Sequence, residues 1–164
     1  MKMKLYLMQH GEAKSEVEDP ERSLRARGEK EVANVSTAAN GLHIRPSKIY
    51  HSGKLRAKQT AEIIASALKI PNPSIQFGQG LNPNDDVRPW AERISKERED
   101  LMLIGHLPFL EKLISLLLCG NENARLVLFR YGAIVCLDQK EDKGWAVRWI
   151  LTPEMASFNE SQRA

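Results

Sequence analysis

The chain has 164 residues, 42% of them hydrophobic and 27% charged, which suits one globular domain and excludes a disordered chain. Its net charge of +3 comes from 24 Lys and Arg scattered among 21 acids, which argues against a nucleic-acid-binding face and leaves small anionic groups as natural ligands. Two cysteines, Cys119 and Cys136, cannot build a disulfide framework or a C-x-x-C zinc pair, and the longest apolar run, residues 113–119, is far too short to span a membrane. A cytoplasmic chain with no membrane or nucleic-acid partner is expected.

Residues 4–8 form an apolar run closed by Gln9, His10 and Gly11, the pattern of a strand buried on both faces. Residues 15–22 are charged and include Pro20, so they read as a loop. From Leu24 onward, Leu24, Gly28, Val32, Val35, Ala39 and Leu42 recur at helical spacing, with Gly41 as a stop signal. A second short strand is predicted over 48–51. Ser52 is placed to cap a helix over 54–68, whose apolar face is Ala57, Ala61, Ile64 and Leu68. Pro71 and Pro73 end that helix.

Residues 78–89 are rich in Gly, Asn, Pro and Asp and predict an irregular loop, followed by a polar helix over 88–99. The clearest buried strand is 101–104, running straight into Gly105 and His106. Pro108 suits the first turn of a helix carrying Leu110, Leu113, Ile114, Leu117 and Leu118 on one face. Strands over 133–137 and 146–151 flank a turn at 141–144. The domain is expected to cover 1–153, with 154–164 a flexible tail.

Alternating strand and helix patterns predict an α/β fold, a three-layer α/β/α sandwich around a mostly parallel sheet with an antiparallel hairpin at one edge. Ligands of such sheets bind at the carboxyl ends of strands. Three predicted strands end in Gln9-His10-Gly11, in His51-Ser52 with Arg56 on the next helical turn, and in Gly105-His106. Each, by itself, is more often structural than catalytic. Together they suit phosphoryl transfer, in which one neutral imidazole attacks while a guanidinium and a second imidazole hold the oxygens.

These residues carry a resemblance. Residues 7–13 resemble the Arg-His-Gly segment of the histidine phosphatase superfamily, residues 52–62 resemble its Ser-x-x-x-Arg-Ala-x-x-Thr signature, and residues 103–108 its late Gly/Ser-His. The short chain, the His106-Leu107-Pro108 ending, Arg22-Ser23-Leu24 and Gly28 are similar to the SixA-type branch of phosphohistidine phosphatases. The resemblance spans 3 to about 152 and implies a phosphoglycerate mutase-like fold. It implies a protein phosphohistidine phosphatase with no metal or other cofactor, acting through a phosphohistidine intermediate on a signalling or phosphotransfer protein. In this scheme His10 is the nucleophile, Arg56 and His106 are catalytic and bind phosphate together with Gln9, the Gly11 carbonyl fixes the His10 tautomer, and Ser52 gives support or caps the helix.

Two departures stand out. Gln9 replaces the usual arginine and brings a donor but no charge, a gap that Lys14 or Arg22 would fill if either is more than a solvated loop cation. The general acid is also unassigned: Asp85, Asp86 and Glu12 are candidates, although the Asn82-Pro83-Asn84-Asp85 run is equally ordinary turn chemistry. A phosphohistidine substrate tolerates that gap, because its imidazole leaving group is easily protonated. The alternatives are a small-metabolite phosphatase or mutase of the same superfamily, and a catalytically weak phosphohistidine-binding module. Cys119 and Arg125 formally match the C-x5-R loop of cysteine phosphatases, but Cys119 falls at a predicted helix end and reads as a core residue.

Overall fold

The computed structural model describes residues 2–161. Its elements run β1 (Lys4–Gln9), α1 (Ala26–Gly41), β2 (Lys48–His51), α2 (Leu55–Leu68), β3 (Ile75–Phe77), α3 (Arg88–Lys96), β4 (Leu101–Gly105), α4 (Phe109–Cys119), β5 (Ile134–Gln139), β6 (Trp145–Leu151) and α5 (Pro153–Ser161). The strands form one sheet in the order β3-β2-β4-β1-β5-β6. The first four of these are parallel to one another, whereas β5 is antiparallel to both β1 and β6 and forms a hairpin with β6 at one edge. The architecture is the expected three-layer sandwich.

Each face of the sheet buries its own core. Leu5, Leu7, Leu101, Leu103 and Leu137 pack against Trp90 and Ile94 of α3 and Leu110, Leu113 and Ile114 of α4. On the other face Met8, Ile49, Met102, Ile104 and Ile134 meet Val32, Val35 and Ala39 of α1, Ala57, Ala61, Ile64 and Leu68 of α2, and Ala156 of α5. Both alternating sets of β1 and β4 are therefore buried, which is why those strands read as continuous apolar runs. Full burial of each such side chain is worth roughly 1.5–3 kcal/mol.

Register places the site. Gln9 pairs with Gly105, so His10 and His106 leave the sheet side by side, while His51 pairs with Ile104, so Ser52 emerges next to them. The backbone there is firmly tied: His10 N donates to Gly105 O (3.1 Å) and Gly132 N donates to Gln9 O (3.0 Å).

Several expectations are corrected. Ser52 does not cap α2, whose N-cap is Lys54 with no side-chain bond. Leu42 lies just past the end of α1 and is exposed. Strand β3 follows a short 3-10 turn and is only three residues long, too brief and too exposed to show a periodic pattern. Helix α3 stops at Lys96, and α4 begins at Phe109 with Pro108 as its N-cap. Residues 153–161 form a helix with Ala156 in the core, whereas a flexible end was expected from 154; residues 162–164 lie outside the described residues. Cys119 is exposed at the end of α4, a helix and not a strand, and is not a core residue.

Candidate active site

The site is built from the carboxyl ends of three adjacent parallel strands and the first turn of α2. His10 is 6% exposed; its Nδ1 lies 2.7 Å from Gly11 O, a distance at which the ring N–H donates to the carbonyl. That bond places the proton on Nδ1 and puts the lone pair on Nε2. Arg56 Nε donates to this same Nε2 at 3.3 Å, so the guanidinium sits over the nitrogen that would attack. The His106 ring lies 4.8 Å from the His10 ring, centroid to centroid, and its Nε2 is 2.5 Å from Ser52 Oγ.

The threonine that ends the second signature, Thr60, ties two parts of the site together. Thr60 Oγ1 accepts from Gly11 N (3.0 Å) and donates to Arg56 O (2.7 Å), pinning the His10-Gly11 turn to the helix that carries Arg56. Spacing Thr60 four residues after Arg56 puts both on one helical face, which was the available signal. Tyr131 stands against His10 with ring centroids 5.5 Å apart; it lies in an irregular segment and left no sequence signal. Gly11 and Gly28 let α1 approach closely, for a Cβ on Gly11 would meet Val32 at 2.8 Å and one on Gly28 would meet Glu12 O at 2.2 Å.

Burial dominates the electrostatics. It pushes His10 down to about 4, against the Gly11 bond and with help from Arg56 and Arg22. It pushes His106 down to about 3, with further contributions from His10, Arg56, Lys54 and Arg22. Both imidazoles are thus neutral at pH 7. Burial also lowers Arg56, again with Arg22 acting in the same direction.

Arg22 is half-buried and adds positive potential at His10, Arg56 and His106. It adopts left-handed backbone, φ 54°, and its Nε donates to Lys14 O at 3.2 Å. A bridge between Ala13 and Leu24 closes its loop beside the site. Lys14 instead faces Asp19 at 3.9 Å. Gln9 is 5% exposed, and its Oε1 is buried without a hydrogen-bond partner.

The acid candidates do not join the hydrogen-bonded cluster. Asp85 accepts from Asn82 N (2.8 Å), Asp86 accepts from Arg88 N (3.0 Å), and Glu12 lies 3.9 Å from the Arg25 guanidinium. Among the described residues no group of three or more His, Cys, Asp or Glu is arranged to hold a metal ion. No helix among them is long and apolar enough to cross a membrane.

Comparison with known proteins agrees with this geometry. The family model of the histidine phosphatase superfamily (branch 1) matches residues 5–81. An uncharacterized protein of Picosynechococcus sp. is 34% identical over 139 residues, covering 80% of this chain and 83% of its own. The phosphohistidine phosphatase SixA of Escherichia coli is 26% identical over 156 residues, covering 92% and 94% of the two chains. The structure of the protein histidine phosphatase SixA complexed with tungstate superposes with a TM-score of 0.81 at 24% identity, over 92% of this chain and 97% of that one. The alpha-ribazole phosphatase of Shigella flexneri superposes at 0.76 with 16% identity, over 92% and 97%. Three signatures in order and these relatives together lead to one conclusion: the chain belongs to the histidine phosphatase superfamily.

Proposed function

We propose that this phosphatase hydrolyses phosphohistidine on a partner protein, without a metal, through a phosphorylated His10. One observation carries the reading: His10 Nδ1 is held by Gly11 O while Nε2 faces Arg56, so the nucleophile and the charge that stabilises the transferring group already touch. Nε2 attacks phosphorus, the substrate's P–N bond breaks, and its imidazole leaves with a proton taken from solvent. Arg56 and His106, with Gln9 beside them, hold the equatorial oxygens, whose charge is spread in a loose transition state. Water then attacks phospho-His10, releases phosphate and restores the lone pair.

The choice of substrate rests on the leaving group. An alkoxide demands an acid in the transition state, whereas imidazole is protonated near neutral pH. The cluster around His10 contains no carboxylate among its hydrogen-bonded members, and Asp85, Asp86 and Glu12 are engaged elsewhere. The similarity to SixA over nearly the whole chain supports the same substrate class. Free Cys119 and Cys136 suit the reducing cytoplasm, where phosphotransfer signalling proteins would be met.

A small-metabolite phosphatase is the second reading, favoured by the fold shared with the alpha-ribazole phosphatase. A phosphohistidine-binding module that turns over weakly because of Gln9 is a third. One assay separates them, comparing a phosphohistidine peptide with alkyl phosphate monoesters in the presence of EDTA. Preferred turnover of the peptide, with an acid-labile and base-stable phosphate trapped on the wild type and absent from His10→Ala, is expected. Faster turnover of the monoesters would move the assignment to a metabolite; no turnover of either would favour the binding module.

A further inference from the structure

We propose, on the reading of this site as a phosphoryl-transfer centre, that Ser52 is a positioning residue that donates to Nε2 of His106 and so makes Nδ1–H the imidazole donor to a phosphoryl oxygen. Ser52 and His106 leave the neighbouring parallel strands β2 and β4, and their polar atoms meet at 2.5 Å. Both residues are buried, at 5% and 2% exposure. The other ring nitrogen, His106 Nδ1, is also buried and has no hydrogen-bond partner in the free protein. Buried polar atoms are almost always satisfied, so an orphan beside a nucleophile marks the place where a ligand supplies the missing group.

A neutral imidazole carries one N–H and one lone pair. If Nε2 bore the proton, Ser52 would accept it and Nδ1 would turn a lone pair toward phosphoryl oxygens, acceptor against acceptor. With Ser52 donating, the lone pair of Nε2 is used and the proton sits on Nδ1. The hydroxyl has no competing task, since Lys54 occupies the N-cap of α2. His10 is fixed in the same tautomer by Gly11 O for the opposite purpose. One imidazole thereby presents a lone pair to phosphorus and the other an N–H to oxygen.

The test joins a spectroscopic and a kinetic arm on the full chain. Nitrogen-15 NMR of the His106 ring at neutral pH is expected to show the Nδ1–H tautomer in the wild type. In Ser52→Ala a mixture with the Nε2–H form is expected, and Ser52→Thr keeps the wild-type tautomer. On a phosphohistidine peptide, Ser52→Ala is expected to lower kcat/KM by about twofold to tenfold, the worth of one neutral hydrogen bond. In a His106→Ala background the same change is expected to have almost no effect, because Ser52 acts through His106. An Nε2–H tautomer in the wild type overturns the proposal, a measurement that needs no variant to fold. Equal losses from Ser52→Ala in both backgrounds, or no loss in a folded Ser52→Ala, also overturn it. A wild type that shows the Nδ1–H tautomer but fails to hydrolyse phosphohistidine supports the positioning of His106 and removes the proposed substrate instead.

Discussion

Gly28 lies in the first turn of α1, remote in sequence from His10, yet a methyl group there is expected to damage the site. A Cβ at Gly28 would stand 2.2 Å from Glu12 O and 2.8 Å from Glu12 N. Ordinary carbon contacts begin near 3.5 Å, so the backbone of Glu12 has to retreat by roughly 1 Å. Gly11, whose carbonyl holds the His10 ring, is the preceding residue. A misplacement of about 1 Å at a catalytic group can lower the rate by about a hundredfold. Stability changes less, because the roughly 1 kcal/mol of helix propensity gained on replacing glycine offsets part of the about 1–3 kcal/mol of overpacking. Gly28→Ala is therefore expected to lower kcat/KM by about tenfold to a hundredfold while Tm falls by no more than about 8 °C. Gly41→Ala in the same helix, where a Cβ meets nothing within 4 Å, is the control and should leave the rate unchanged. Steady-state kinetics and thermal melts on the two variants decide the matter. A Gly28→Ala protein with wild-type kcat/KM would refute the claim that α1 positions His10 through this contact.

Arg56→Ala removes the guanidinium at 3.3 Å from His10 Nε2 and is expected to lower kcat/KM by more than about tenfold, since a charge-assisted bond is worth roughly 1.5–3 kcal/mol; unchanged kinetics in a folded variant would remove Arg56 from the site. Folding stability is expected to fall with acidification below pH 6.5: the unfolded imidazoles take up protons there while native His10 and His106 stay neutral to about 4 and about 3, so their contribution is complete above 6.5 and lost through that window. Urea midpoints measured from pH 7 to 5 should drop less steeply for His106→Ala than for the wild type, and parallel slopes would contradict it. Gln9→Arg is expected to change phosphohistidine turnover by less than about tenfold, measured as kcat/KM. An inactive wild type with an active variant would show a decayed enzyme.

The parts of the site that could be read from the sequence are those specified locally. Apolar runs ended by His10-Gly11, His51-Ser52 and Gly105-His106 mark strands and their exits together, and a parallel sheet brings such exits to one edge. The apolar spacing of α2 likewise places Arg56 on its first turn. What was hidden depends on contacts distant in sequence. Arg22 reads as a loop cation until the Ala13–Leu24 bridge closes its loop and its charge is felt at His10 and His106. The Ser52 hydroxyl has two plausible partners, a helix N–H that would donate to it or a distant imidazole nitrogen, and only the β2–β4 register decides between them. Tyr131 comes from a segment with no regular structure, ordered because Val127 and Phe129 are buried beside it. Helix α5 has too weak a pattern to announce itself and is held by packing on α1 and the sheet.

The substitution at position 9 makes physical sense once these cations are placed. An arginine beside His10 has two opposed effects. It adds a charge-assisted bond to the phosphoryl group, worth roughly 1.5–3 kcal/mol. It also presses the proton affinity of the attacking imidazole lower, and a less basic nitrogen is a weaker nucleophile. Here burial, with Arg56 and Arg22, already holds His10 near 4. Lys54 and Arg22 add positive potential at His106, so the pocket accumulates cations without any at residue 9. In the free protein those charges repel one another, and an arriving phosphoryl dianion relieves the repulsion as it binds. A further buried guanidinium would raise that repulsion while giving a bond to oxygens that Arg56 and His106 already reach in the proposed mechanism. Gln9 keeps an amide donor at the strand end, leaves His10 more basic than an arginine would and, on the proposed phosphohistidine substrate, removes a charge that only a poor leaving group would require. The expected small response to Gln9→Arg follows from these opposing effects, whose near-cancellation holds only while the leaving group is as good as imidazole.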